Sequence, residues 1–86
     1  MVEKTEKEAG EVSSFFSQIS VAAIKLSAPL SVGDKIHVKG HTTDFHQKVS
    51  SMQIEGKSVA KAKKGDHIGI KVSDRARPND KVFLVK

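Results

Sequence analysis

Cysteine is absent from the 86 residues, so neither a disulfide framework nor a Cys-based zinc site can support the core. Tryptophan and tyrosine are absent as well. The four phenylalanines, Phe15, Phe16, Phe45 and Phe83, all read as core residues, which leaves few platforms on which a base could stack. The longest apolar run, Val21 to Ile24, falls far short of the roughly 20 residues that a membrane-spanning helix needs. The phosphate-cradling glycine loop with its Lys-Ser/Thr pair is missing, and so is the Gly-x-Ser-x-Gly turn that exposes a nucleophilic serine. Met1 to Glu8 carries charges where a secretion signal needs an apolar stretch. These absences predict a cytoplasmic protein with no membrane contact, no cofactor and no catalytic activity of its own.

What is present is a rhythm of short alternating segments. Pro29 pushes Ala28 extended, Gly33 opens a positive-φ position, and Ile36 and Val38 then alternate with Lys35, His37 and Lys39. Lys64-Gly65-Asp66 launches a strand with Ile68, Ile70 and Val72 on one face, and Pro78-Asn79-Asp80 launches Lys81 to Val85. Upstream, a strand with Val12, Phe15 and Phe16 meets, near Ser17-Gln18, a second one with Ala22, Ile24 and Leu26 on one side. Short strands separated by turn signals predict an all-β fold, a small barrel or sandwich. Phe45 to Glu55 reads as one long strand whose alternation changes phase, Phe45 and Val49 on one parity and Met52 and Ile54 on the other. A β-bulge near Ser50 or Ser51 would reconcile them. Ser58 to Lys64 fits a single helical turn or a short strand equally well. The chain reads as a monomer with one domain, residues 10–86, behind a flexible charged tail, residues 1–9.

The formal net charge is +5. Residues 1–11 hold Lys4 and Lys7 against Glu3, Glu6, Glu8 and Glu11, so the rest of the chain is more basic than the whole. Lys35, His37 and Lys39 share a strand face, His41 and His67 stand in the flanking loops, and Lys57, Lys61, Lys63, Lys64, Lys71, Arg75 and Arg77 crowd the later turns. Such a face can follow a phosphate backbone, and these residues are the candidate RNA-binding set; a merely solvated surface is the plain alternative. His37 and His46 have opposite parities and no carboxylate cluster joins them, so no metal site is expected. Asp34, Asp66 and Asp80 each follow a turn residue, where a carboxylate bonds backbone amides rather than acting as an acid or base.

The run Ser51-Met52-Gln53-Ile54, followed by Ala60 to Val72 with Lys64-Gly65-Asp66-His67-Ile68-Gly69 at its centre, resembles the second, β-barrel domain of translational GTPases such as elongation factor Tu. Gly10, Val12 and Val32-Gly33-Asp34 sit where that barrel has them, and the likeness extends from Gly10 to Val85. Val21 to Ile24, Ala28-Pro29-Leu30 and Thr42-Thr43-Asp44-Phe45 bring the chain closer to small stand-alone translation-factor-like barrels and to the C-terminal barrel of collagenase-like peptidases. The resemblance implies a closed six- or seven-stranded antiparallel barrel of the translation-protein type. It implies tRNA or ribosomal RNA as partner, with the loops at His41 to Asp44 and Lys64 to Gly69 giving selectivity. GTP hydrolysis is not implied, and the catalytic part of collagenase-like proteins lies outside their barrel. A second expectation is a protein-interaction module that docks onto a separate translation or RNA-modification protein.

Overall fold

The structure, a computed structural model, describes residues 6–85. Ten strands follow one another: β1 (Glu6–Phe16), β2 (Val21–Leu26), β3 (Leu30–Ser31), β4 (Lys35–Lys39), β5 (Asp44–Lys48), β6 (Met52–Ile54), β7 (Lys57–Val59), β8 (Lys61–Ala62), β9 (His67–Lys71) and β10 (Lys81–Val85). The fold is all-β, and no helix occurs among the described residues, so none is long and apolar enough to cross a membrane. Eight strands form one antiparallel sheet in the order β5-β4-β10-β1-β2-β9-β6-β7, and β3 pairs with β8 in a second, two-stranded sheet.

The expected strand count and closure are corrected. Six or seven strands closed by a continuous ladder become eight plus two, with β5 and β7 ending the larger sheet. Of the two readings of Ser58 to Lys64 the short strand holds: the segment carries most of β7 and all of β8, with Met52↔Val59 and Leu30↔Ala62 paired as strands. Glu6 to Ala9, assigned to the tail by their charge, run on into β1, where Ala9 is fully buried; residues 1–5 lie outside the described residues.

The expected bulge near Ser50 is a strand change instead. Phe45 belongs to β5, which pairs with β4, whereas Met52 belongs to β6, which pairs with β9. Each strand keeps its own alternation, so the phase jump marks the crossing from one end of the sheet to the other. The bulges lie in β1, where register slips between Glu8 and Gly10 and again between Val12 and Ser14. An extra residue at each bends the long strand, letting its first half pair with β10 and its second with β2. Gly10 at the first bend has no side chain to spare: a Cβ there would stand 2.7 Å from the Lys25 carbonyl oxygen.

Alternate residues of the strands meet in the core. Ala22, Ile24 and Leu26 of β2, Ile36 and Val38 of β4, Ile68 and Ile70 of β9 and Val82 of β10 are all buried there, joined by Val12, Leu30, Val49 and Met52. Three turns of one design aim these strands. Asp34, Asp66 and Asp80 each accept, on Oδ2, the backbone N–H of the residue three earlier (Ser31, Lys63 and Arg77, at 2.9, 3.0 and 2.8 Å). Each Asp N–H also donates back to that residue's carbonyl. The residue before each Asp, Gly33, Gly65 or Asn79, has φ of 98°, 93° or 78°, a left-handed position that glycine and asparagine tolerate.

Gln47 joins parts of the sheet that no ladder joins. Its amide nitrogen donates to the Lys71 carbonyl at 2.9 Å and its oxygen accepts from the Ser73 N–H at 2.7 Å, tying β5 to the end of β9.

Two outcomes follow. Asp80 is buried, so Asp80→Ala strands the Arg77 N–H and should lower stability by about 1–3 kcal/mol in urea unfolding, more than Asp34→Ala at its partly exposed turn. Gln47→Ala should cost about 1–2 kcal/mol and speed amide exchange at Ser73 while leaving β2 and β9 amides protected.

Candidate functional site

The predicted basic residues are distributed over several elements. Lys35, His37 and Lys39 lie on β4, while Lys71 lies on β9, separated from β4 in the strand order by β10, β1 and β2. Lys57 opens β7, Lys61 stands on β8, and Lys63 and Lys64 occupy the turn before β9; all four are exposed. His67 begins β9 opposite Lys25. His41 is exposed in the turn between β4 and β5.

His37 is buried. Its neighbours across the strands are Phe83 on β10 and His46 on β5, and the three rings make a row on the face opposite Ile36 and Val38. The His37 and His46 rings stack with centroids 4.0 Å apart, and Phe83 lies tilted at 6.1 Å. Parity along the chain says nothing about two residues on different strands; the antiparallel register puts these two directly opposite. At the end of the row the His37 Nε2–H donates to Asp44 Oδ1 at 2.5 Å. That bond is the main reason the Asp44 carboxyl titrates below its ordinary value of 3.8. Among the described residues no group of three His, Asp or Glu side chains is arranged to hold a metal.

Two of the predicted residues do come together with a predicted loop. The segment after β9 is pinned by buried Ala76, which leaves its neighbours Arg75 and Arg77 exposed. With Asp74 they face Thr42, Thr43, Asp44 and Phe45 across a cleft of about 240 Å³. Arg75 and Asp74 also line a second cleft, of about 290 Å³, with Phe15, Ser17, Ser20 and Ser73. Both carboxylates of the first cleft are engaged, Asp44 with His37 and Asp74 with the Arg75 N–H at 2.7 Å. Neither guanidinium has a carboxylate partner among the described residues.

Phe16, read as core, is half exposed. It stands at the β1–β2 tip with exposed Ile19, since the hairpin outruns the core beneath it. Gln47, which sequence reasoning passed over, ties β5 to Lys71 and Ser73, just before the segment that lines the cleft; a lone Gln on a strand carries no pattern that could have marked it.

The fold is that of the C-terminal domain of a Geobacillus thermoleovorans protein assigned to the U32 peptidases. That crystal structure superposes with a TM-score of 0.87 over the whole of both chains at 19% identity, and its selenomethionine variant with 0.84 over 88% of this chain and 96% of the other. No family model matches the sequence. Among curated proteins, an uncharacterized protease of Methanocaldococcus jannaschii is 42% identical over 80 residues, 92% of this chain, and a collagenase of Porphyromonas gingivalis is 39% identical over 71 residues, 80% of it. The chain is therefore homologous to part of collagenase-like proteins, and it spans 20% of the length of each of these two relatives.

These findings correct the functional expectations. The collagenase-like side of the resemblance stands and the translation-factor side does not: the homologues are named protease and collagenase, so the translation-type role in RNA binding and the docking onto a translation protein are withdrawn. The expectation that the chain is not an enzyme is overturned by the same names, which point to a peptidase-family domain. Turn spacing and strand alternation report the architecture, and one architecture serves many functions.

The depressed Asp44 carboxyl sets a pH test. A carboxyl with a lowered folded-state pKa adds stability that is present above 3.8 and lost as pH falls through its folded value. The melting-temperature gap between the native chain and Asp44→Asn should be open at pH 5 and close as pH drops below 3.8. A gap unchanged down to pH 2 would mean that the ionised carboxylate contributes nothing.

Proposed function

We propose that this chain serves as a peptide-engaging domain of a collagenase-like peptidase, offering its open clefts to segments of the protein substrate. The observation that carries this is the naming of its curated relatives, a protease and a collagenase, which align over 92% and 80% of the chain. The geometry agrees: the clefts are shallow, open and polar, suited to a passing chain rather than to a small enclosed molecule.

The same reading takes the rolled sheet as a barrel whose last seam is spanned by a side chain. Only Val49, Ser50 and Ser51 connect β5 to β6, so their ends lie within about 15 Å although the strands are far apart in the sheet order. Gln47 reaches across that seam. A cytoplasmic location belongs to this proposal and draws on the lack of cysteine.

Fluorescein-labelled gelatin titrated with the chain at physiological salt should show a saturable rise in anisotropy that unlabelled gelatin reverses. Flat anisotropy throughout, with saturable binding of tRNA in its place, would overturn the proposal.

A further inference from the structure

Antiparallel pairing turns the backbone groups of alternate residues toward opposite edges of a strand. The Gly40 N–H donates to the Thr43 carbonyl and the Val49 N–H to the Asp34 carbonyl, at the two ends of the β4–β5 ladder. Between them the register Lys39↔Asp44, Val38↔Phe45, His37↔His46, Ile36↔Gln47, Lys35↔Lys48 is unbroken. Ile36↔Gln47 and Val38↔Phe45 are therefore the hydrogen-bonded pairs, and the backbone groups of Asp44 and Lys48 point away from β4. The close stacking of His37 on His46 fits a non-hydrogen-bonded pair, whose side chains stand nearer. Since β5 ends the sheet, those groups face outward along an edge with no neighbouring strand.

This edge is filled at one end and open at the other. Beside Lys48, the Gln47 side chain spans to Lys71 and Ser73. Beside Asp44, the edge opens into the cleft with Arg75 and Arg77 on its far wall and partly buried Phe45 at its side. An extended segment entering here meets outward backbone groups on one side and two guanidiniums on the other. The Asp44 and Asp74 carboxylates keep their charge but are bonded to His37 and to the Arg75 N–H, and neither forms an ion pair with a guanidinium, so both forks are open to an incoming carboxylate.

We propose that the Asp44 end of β5 captures an extended acidic peptide by strand addition, with a carboxylate of the peptide bridging to Arg75 and Arg77. Backbone bonds to β5 give affinity for any extended chain; the arginines give preference for Glu or Asp, since a guanidinium fork matches a carboxylate. This rests on the peptide-engaging reading above and names where the peptide lies and which peptides are preferred.

The test uses the 15N-labelled full chain and two blocked hexapeptides, Gly-Glu-Val-Glu-Val-Gly and Gly-Lys-Val-Lys-Val-Gly. The acidic peptide should bind about tenfold more tightly at low salt, as one good charge-assisted contact allows. Its amide shifts should centre on Thr43 to His46 and on Asp74 to Arg77. Arg75→Ser with Arg77→Ser, both at exposed positions, should erase the preference while leaving weak binding of either peptide. Binding that maps instead to β7 or to the Phe16–Ile19 tip, or a preference that survives the double substitution, would overturn this inference and leave the peptide-engaging reading intact. No shift with either peptide, and none with gelatin, would remove both.

Discussion

A carboxylate accepting the backbone N–H of the residue three positions before it is the contact on which this fold turns. It occurs at Asp34, Asp66 and Asp80, and each time it closes a loop that the same Asp's N–H closes again through the backbone. The doubled closure fixes the direction in which β4, β9 and β10 leave their turns. Those three strands supply Ile36, Val38, Ile68, Ile70 and Val82, a large share of the buried side chains, so an error of aim would displace much of the core. Asp80 is the most enclosed of the three, and Gly40 lies so close against it that any β-carbon there would collide with its carboxylate. A small domain without disulfides has little core in reserve, which makes the accuracy of these turns matter more than it would in a larger protein.

The turns also show why much of the fold was legible in the sequence. Gly33-Asp34, Gly65-Asp66 and Asn79-Asp80 are local signals, and the alternation of Ile36 with Val38, or of Ile68 with Ile70 and Val72, needs only neighbours along one strand. All-β architecture follows from such features. What they do not contain is which strand lies beside which. Phe45 to Glu55 reads as one strand with a bulge because nothing local says that the chain leaves β4 and joins β9 at Val49 to Ser51. Short segments such as Lys57–Val59 and Lys61–Ala62 are too brief to show a period and take their form from Met52 and Leu30 across the ladder.

The site was legible only in pieces. Arg75, Arg77 and the His41 to Asp44 loop were each visible, yet the cleft they share depends on how far the segment after β9 is drawn toward β5, and buried Ala76 and the Gln47 bonds set that distance. His37 misled for a similar reason. On β4 it alternates with two lysines as a surface residue would, but its cover comes from Phe83 and His46 on other strands. Function was further still from the local pattern: the fold in which these turns sit is shared with the C-terminal domain of a protein assigned to the U32 peptidases, and a fold does not fix a function.

The burial of His37 bears on how so small a sheet is held together at its end. β4 covers both of its faces, with Ile36 and Val38 toward the core and His37 outward beneath its ring neighbours, whereas β2 and β9 leave Lys25 and Lys71 exposed. β5 pairs with β4 alone, so a row of rings crossing β10, β4 and β5 ties the terminal strand to two others through side chains where no second ladder is available. Asp44 ends that row by bonding His37 through Oδ1, and it forms no ion pair with the arginines that line the same cleft. One contact thus anchors the edge strand while the guanidiniums beside it stand, among the described residues, without a carboxylate in contact. An edge both rigid and charged is what an extended acidic chain requires of a surface it is to join, because the strand it extends must already be in place.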